Sequence, residues 1–143
     1  MSSPKHLTTS GKLVDGAVAN STAVAAFNVI LLEHAEAYVA ASLETDLPVI
    51  LQISQNAVAY HGSLAPIAKA TMALASTSKK ISVHLDHAES EELIAEALDL
   101  GFDSVMFDGS KLPYEENVAA SLRVANLCKS YGATIEVELG EVG

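Results

Sequence analysis

A carboxylate stands between two imidazoles in residues 82–88, at the end of an apolar, β-branched run. Imidazole and carboxylate groups bind divalent metals and transfer protons, so this segment is the best candidate for chemistry in the chain. Alternate residues of a strand point to opposite faces, which puts His84 and Asp86 on one face. His87, the last residue before a polar turn, is free to swing toward the end of the strand. A hydrogen-bond cluster in a surface turn is the competing interpretation.

The composition is that of a globular protein with a small-molecule partner. The chain has 143 residues, 50% of them apolar, and we expect residues 1–143 to form a single domain with a buried core. A formal charge of -10 opposes unspecific binding to nucleic acid and to anionic membranes. With no apolar stretch near the roughly 20 residues that span a bilayer and no secretory signal pattern, we expect a cytoplasmic protein. Cys128 is the only cysteine, so a metal must rely on histidine and carboxylates.

Short apolar runs alternate with segments of helical periodicity along the whole chain. We interpret the runs as five strands, at residues 24–29, 48–54, 80–87, 103–108 and 134–140. Apolar residues at helical spacing predict four helices, around residues 32–43, 67–74, 93–100 and 118–127. Ser90 is the expected N-cap of the third helix, and Gly101 the residue that ends it. Strands separated by single helices run parallel, so the predicted fold is α/β.

Polar residues on one face of the predicted strands favour a barrel over an open, doubly wound sheet. An open sheet has helices on both faces, and both are then apolar near the strand ends. Here one face turns polar near the carboxyl ends, at Asn28, Gln52, Ser54, His84, Asp86, Asp108, Glu136 and Glu138. A (β/α)8 barrel, the TIM barrel, carries its catalytic groups at that rim. Five strands are too few to close one.

Four motifs on consecutive strands resemble those of the class II metal-dependent fructose-bisphosphate and tagatose-bisphosphate aldolases. They are Ala26-Phe27-Asn28, His84-Leu85-Asp86-His87, Met106-Phe107-Asp108-Gly109-Ser110 and Glu136-Val137-Glu138-Leu139-Gly140. The family fold is a TIM barrel of about 250 residues or more. The chain therefore resembles its amino-terminal part, with about the first five strands and four helices. We expect the remaining zinc ligands, the proton-abstracting base and the phosphate site beyond Gly143, and no turnover from residues 1–143 alone.

The resemblance implies a reaction and a set of roles. The reaction is the reversible cleavage of fructose 1,6-bisphosphate or tagatose 1,6-bisphosphate into dihydroxyacetone phosphate and glyceraldehyde 3-phosphate, with Zn2+ or another divalent metal as Lewis acid. By resemblance, Asp86 is the catalytic acid/base, and His87, Asp108 and Glu138 are metal ligands. His84 is expected to orient the site by hydrogen bonding rather than to bind metal. The expected substrate-binding residues are Asn28, Gln52 and Ser54, and the expected assembly is a dimer or tetramer.

Several of these residues also have purely structural interpretations. Asp108, which precedes Gly109 and Ser110, suits an Asx-turn, and Glu138 suits a solvated charge at a sheet edge. Asn28 and Ser54 suit hydrogen bonding to backbone groups at the rim.

Two alternatives to a metal-dependent aldolase stay open. A lysine-dependent aldolase forms a Schiff base inside the barrel, but no lysine of this chain ends a predicted strand. A non-catalytic half-barrel, a fragment or assembly partner, would offer the unpaired edge of the fifth strand for association. The polar rim argues against that second alternative.

Overall fold

The structure, a computed structural model, describes residues 8–140, within which five strands and six helices occur. The strands are β1 (Ala25–Asn28), β2 (Val49–Ser54), β3 (Ile81–Ala88), β4 (Ser104–Phe107) and β5 (Thr134–Val137). The helices are α1 (Ser10–Ala19), α2 (Leu32–Thr45), α3 (Gln55–His61), α4 (Ala65–Ala75), α5 (Glu91–Leu100) and α6 (Tyr114–Tyr131). None of the helices in this part of the chain is both long and apolar enough to cross a membrane.

The strands form one parallel sheet in the order β1-β2-β3-β4-β5. A doubly wound sheet reverses its strand order at a switch point, whereas a barrel wall adds each strand beside the previous one. The order observed is that of a barrel wall, and the α/β prediction is confirmed. Register places Asn28 opposite Gln52 and Gln52 opposite His84, so the inward polar residues form a row across three strands.

The outward faces of the strands and the helices that cover them form the apolar core. Leu51, Ile53, Leu85 and Val105 are completely buried. Burying a Leu or Ile side chain contributes about 1.5–3 kcal/mol, so these residues hold the sheet against its helices. The polar side chains are left on the inner face of the wall.

The two ends of α5 lie at the residues predicted from the sequence. The Ser90 side chain accepts a hydrogen bond from the Leu93 N–H and caps α5, and Gly101 ends the helix with a left-handed φ of 105°. Gly132 ends α6 in the same way, with a φ of 71°.

Two helices were missed, and the prediction of four helices was therefore wrong. α1 begins at an N-cap, Thr9, and its Ser10 lies buried against the amino-terminal ends of the strands. The Ser10 hydroxyl donates to the Ser82 Oγ at 3.0 Å, and its backbone N–H donates to the Asp103 Oδ1 at 2.9 Å. α3 follows β2 without a connecting loop, so its start was hidden by the strand pattern. β5 is also shorter than predicted, because it ends at Val137 rather than at Gly140.

Candidate metal and catalytic site

An irregularity in β3 brings His87 to the mouth of the wall. Leu85 pairs with Val105 and Ala88 with Phe107, so three steps on β3 match two on β4. One extra residue in a strand is a β-bulge, which turns a side chain away from its regular direction. The φ of His87 is 49°, a left-handed value that is uncommon outside glycine. The bulge therefore lets two consecutive residues, Asp86 and His87, serve the same end of the strand.

His87 meets two carboxylates from the next two strands. Its Nδ1 lies 2.9 Å from the Asp108 Oδ2 and 3.4 Å from the Glu138 Oε2. One ligand atom from each of the three residues lies within 4.8 Å of the others. Both carboxylates are mostly buried, while the imidazole is half exposed. Asp108 directly follows β4, and Glu138 directly follows β5, so the parallel topology itself brings them to one rim.

Asp108 is held in place by its own turn. Its Oδ1 accepts hydrogen bonds from the backbone N–H and the hydroxyl of Ser110, at 3.1 and 2.6 Å. The other oxygen, Oδ2, faces His87. Burial opposes ionisation of Asp108, but the hydrogen bonds from Ser110 and His87 outweigh it and hold the pKa of this carboxyl below its ordinary value. The Asx-turn and the predicted ligand role thus use different oxygens of the same side chain.

These three residues fit a divalent cation. One imidazole and two carboxylates are ligand types that zinc accepts. The Glu138 Oε2 is buried without a hydrogen-bond partner among the described residues, since the His87 Nδ1 pairs with Asp108. A buried carboxylate oxygen with no partner is costly, and a cation between the three side chains would satisfy it.

The pKa of the His87 imidazole is also raised. The hydrogen bond with Asp108 raises the pKa of His87 above its ordinary value; burial opposes this, and the charges of Asp86, Asp108 and Glu138 add to it.

Asp86, the predicted acid/base residue, lies buried beside this cluster. It is 7% exposed, and its Oδ1 accepts a hydrogen bond of 3.1 Å from the Gln52 Nε2. Burial raises the pKa of Asp86, the His87 imidazole opposes the shift, and the Glu138 and Asp108 carboxylates add to it. A buried carboxyl with a raised pKa beside a candidate metal site is a candidate for proton transfer.

His84 lies deeper in the wall, one inward position before Asp86. It is 4% exposed, and its Nδ1 is 2.7 Å from the Ser104 hydroxyl. Its Nε2 has no hydrogen-bond partner in the described region, and the Glu136 Oε2 lies 3.7 Å away. Burial and the nearby His87 lower the pKa of His84 to about 4. His84 is therefore a neutral, buried side chain separate from the ligand cluster.

The three predicted substrate-binding residues have different surroundings. Asn28 is exposed at the end of β1. Gln52 donates a hydrogen bond to Asp86, so it is placed to orient the predicted acid/base residue as well as to meet a ligand. The Ser54 hydroxyl accepts a hydrogen bond from the Ala57 N–H and caps α3. Their roles toward substrate stay predictions.

Lysine is absent from all five strands of the described part of the chain. The described lysines lie in α1, α4 and α6 or in connections. The wall therefore offers no amine for a Schiff base.

Sequence reasoning missed one residue that shapes the site. Ser110 holds Asp108 in the Asx-turn that the sequence suggested, whereas Asn117 on α6, which donates a hydrogen bond to the backbone carbonyl of Glu138, was not expected. A polar residue near the start of a helix usually signals capping, so Asn117 gave no sign of a role on a neighbouring strand.

Comparison with known proteins decides the family. The profile of the family described as "Fructose-bisphosphate aldolase class-II" matches residues 8–143. The chain belongs to the class II fructose-bisphosphate aldolase family. It is 39% identical over 127 residues to fructose-bisphosphate aldolase of Staphylococcus aureus (strain Mu50). This match covers 87% of this chain and 44% of that protein. The Staphylococcus epidermidis (strain ATCC 12228) fructose-bisphosphate aldolase is 38% identical over the same shares.

Solved aldolases share the fold. The YdjI aldolase from Escherichia coli K12 superimposes with a TM-score of 0.85 and 25% identity, over 96% of this chain and 54% of that one. The chain thus spans about half the length of the aldolases it matches, and its five strands are part of a TIM barrel. The predicted family and fold are confirmed.

Proposed function

We propose that the protein is a metal-dependent aldolase that cleaves a ketose bisphosphate, fructose 1,6-bisphosphate or its tagatose epimer, into dihydroxyacetone phosphate and glyceraldehyde 3-phosphate. The observation that supports this most is the convergence of His87, Asp108 and Glu138 beside a buried Asp86. Membership of the aldolase family gives the reaction class. The three converging side chains would hold the cation, with Zn2+ as the expected metal.

Asp86, Gln52 and Asn28 have separate roles in the proposed reaction. Zinc held by His87, Asp108 and Glu138 would supply Lewis acidity, which would stabilise negative charge on the dihydroxyacetone phosphate half. In the cleavage direction, Asp86 accepts the proton of the C4 hydroxyl as the C3–C4 bond breaks and the C4 aldehyde forms. The electron pair of that bond passes to C3 of the other half, which then takes up a proton to give dihydroxyacetone phosphate. In the condensation direction it returns this proton to the aldehyde oxygen. Gln52 holds the carboxylate of Asp86 toward the mouth, where Asn28 is exposed for contact with the phosphorylated sugar.

Two substitutions separate metal binding from proton transfer in the protein that carries this chain. Asp86→Asn keeps the size of the side chain but removes its proton transfer, so we expect bound zinc to be retained and turnover to fall about 100- to 10,000-fold. His87→Ala removes a ligand, and we expect both zinc and turnover to be lost. The measurements are zinc content by mass spectrometry after gel filtration, and steady-state cleavage of each epimer.

His61→Gln is the matched control, since His61 ends α3, its ring packs edge-on against Tyr60, and its hydrogen bond in the described region is to the backbone carbonyl of Ile30. It should keep zinc and activity. Parent-like turnover by Asp86→Asn, or parent-like zinc content in His87→Ala, would overturn the assigned roles.

A further inference from the structure

A buried amide links the two loops that carry the candidate ligands Asp108 and Glu138. Asn117 is the fourth residue of α6, on the outer layer, and it is 4% exposed. Its Nδ2 donates a 2.7 Å hydrogen bond to the backbone carbonyl of Glu138. Its Oδ1 accepts a 3.0 Å hydrogen bond from the Ser121 hydroxyl, one helical turn later. Both ends of the amide are thus fixed, one to the helix and one to the residue that carries a candidate ligand.

The Asn117 side chain also packs beside Gly109, in the loop after β4. A Cβ atom added to Gly109 would lie 2.3 Å from the Asn117 Oδ1 and 2.6 Å from its Cγ. Real Cβ atoms do not approach that closely, so only glycine fits while the Asn117 side chain keeps this position. Gly109 directly follows Asp108, and its requirement here is space rather than backbone conformation, since its φ is not left-handed.

We propose that Asn117 is a positioning residue that sets the separation of Asp108 and Glu138, and thereby the affinity of the site for its divalent cation. This inference rests on the proposed metal-dependent function. The amide hydrogen-bonds to the Glu138 backbone and fills the space beside Gly109, and no hydrogen bond joins it to either carboxylate among the described residues, so it acts through the ligands and not as one of them. Groups that orient metal ligands from outside typically change metal affinity 10- to 100-fold when they are removed.

A purely structural role for Asn117 makes a different prediction. If the amide only satisfied a buried carbonyl, its loss would lower the stability of the metal-free protein and leave zinc affinity unchanged in the molecules that stay folded. Zinc affinity must therefore be measured beside the thermal unfolding midpoint of the metal-free protein.

The test uses the protein that carries this chain and a competition titration of zinc against a chelating indicator. Asn117→Ala should weaken zinc binding about 10- to 100-fold. Asn126→Ala is the matched control, because Asn126 lies on the same helix but is exposed, and it should change the affinity less than about twofold. Asn117→Asp keeps the volume but turns an oxygen toward the Glu138 carbonyl, and it should weaken zinc binding as Asn117→Ala does.

A double substitution tests the contact with the second loop. Gly109→Ala alone should weaken zinc binding, because the new methyl group displaces the amide. Added to Asn117→Ala, it should have little further effect, since the atoms that it strikes are gone; interacting neighbours are non-additive in this way.

The outcomes distinguish this inference from the proposed function. If folded Asn117→Ala and Asn117→Asp bind zinc within twofold of the parent while His87→Ala does not bind it, the positioning role is wrong and the metal site stands. If the parent binds zinc no better than His87→Ala, both are wrong.

Discussion

The protonation of His84 offers a quantitative test of the interior of the barrel wall. Burial and the neighbouring His87 lower the pKa of His84 from 6.5 to about 4. In the unfolded chain the imidazole takes up a proton near pH 6.5, whereas in the folded protein it stays neutral until about pH 4. Between these values the unfolded state binds more protons, so the free energy of unfolding rises with pH. The contribution of neutral His84 to the free energy of unfolding is complete above pH 6.5 and is lost as the pH falls toward 4.

The size of the effect follows from the shift. One pKa unit corresponds to 1.36 kcal/mol, so the His84 contribution to the free energy of unfolding should fall by about 2 kcal/mol between pH 7 and pH 5. Glu136 lies 3.7 Å from the Nε2, but its side chain is largely exposed, so solvent screens its charge. Ser104 carries no charge and hydrogen-bonds with the ring in its neutral form.

The assay compares the parent with His84→Gln by urea unfolding at pH 5, 6 and 7, with chelator present so that metal binding does not contribute. The variant cannot take up this proton, so its stability relative to the parent should increase by about 2 kcal/mol from pH 7 to pH 5. The His84 ring resonance should also stay unshifted over this range in NMR spectra. If the stabilities of the parent and of His84→Gln changed with pH in parallel, or if the His84 resonance titrated near pH 6.5, this imidazole would not be shielded from water and neutral.

Two further predictions concern the stability of the scaffold. Cys128 is buried and its burial raises the pKa of the thiol, so a thiol reagent should label it only as the protein unfolds, and rapid labelling in native buffer would contradict this. Gly132→Ala should lower the free energy of unfolding by about 1 kcal/mol in urea, because its φ is 71°, although its surroundings leave room for a methyl group. Gly16→Ala within α1, where there is also room, should be neutral or stabilising, and equal losses at both glycines would contradict the argument.

The fold was predictable because its main signals are local. The strands were found from short apolar runs and four of the six described helices from the spacing of their apolar residues, and Ser90 and Gly101 marked the ends of α5 as expected. The short helix α3 was missed because its N-cap, Ser54, is also the last residue of β2. A serine at the end of an apolar run fits the last residue of a strand, and the sequence pattern does not show that it also caps a helix.

The meeting of Asp108 and Glu138 was predictable for a topological reason. Each follows a strand, and parallel neighbours bring their carboxyl ends to one rim. The contact of Asn117 with Glu138 was not predictable, because it depends on the packing of α6 against β5 and on the space left by Gly109. Contacts of this kind join residues that are distant in the sequence and belong to no common helix or strand pattern.

The bulge at the end of β3 explains how two adjacent residues both reach the mouth of the wall. In a regular strand, Asp86 and His87 would point to opposite faces, and only one of them would reach the mouth. The extra residue and the left-handed φ of His87 remove that restriction, at a conformational cost of order 1–3 kcal/mol. The hydrogen bond between His87 and Asp108 helps to hold this conformation. If His87 binds a metal and Asp86 transfers a proton, as proposed, two adjacent strand residues must both reach the mouth, and the strained backbone at His87 is what allows this.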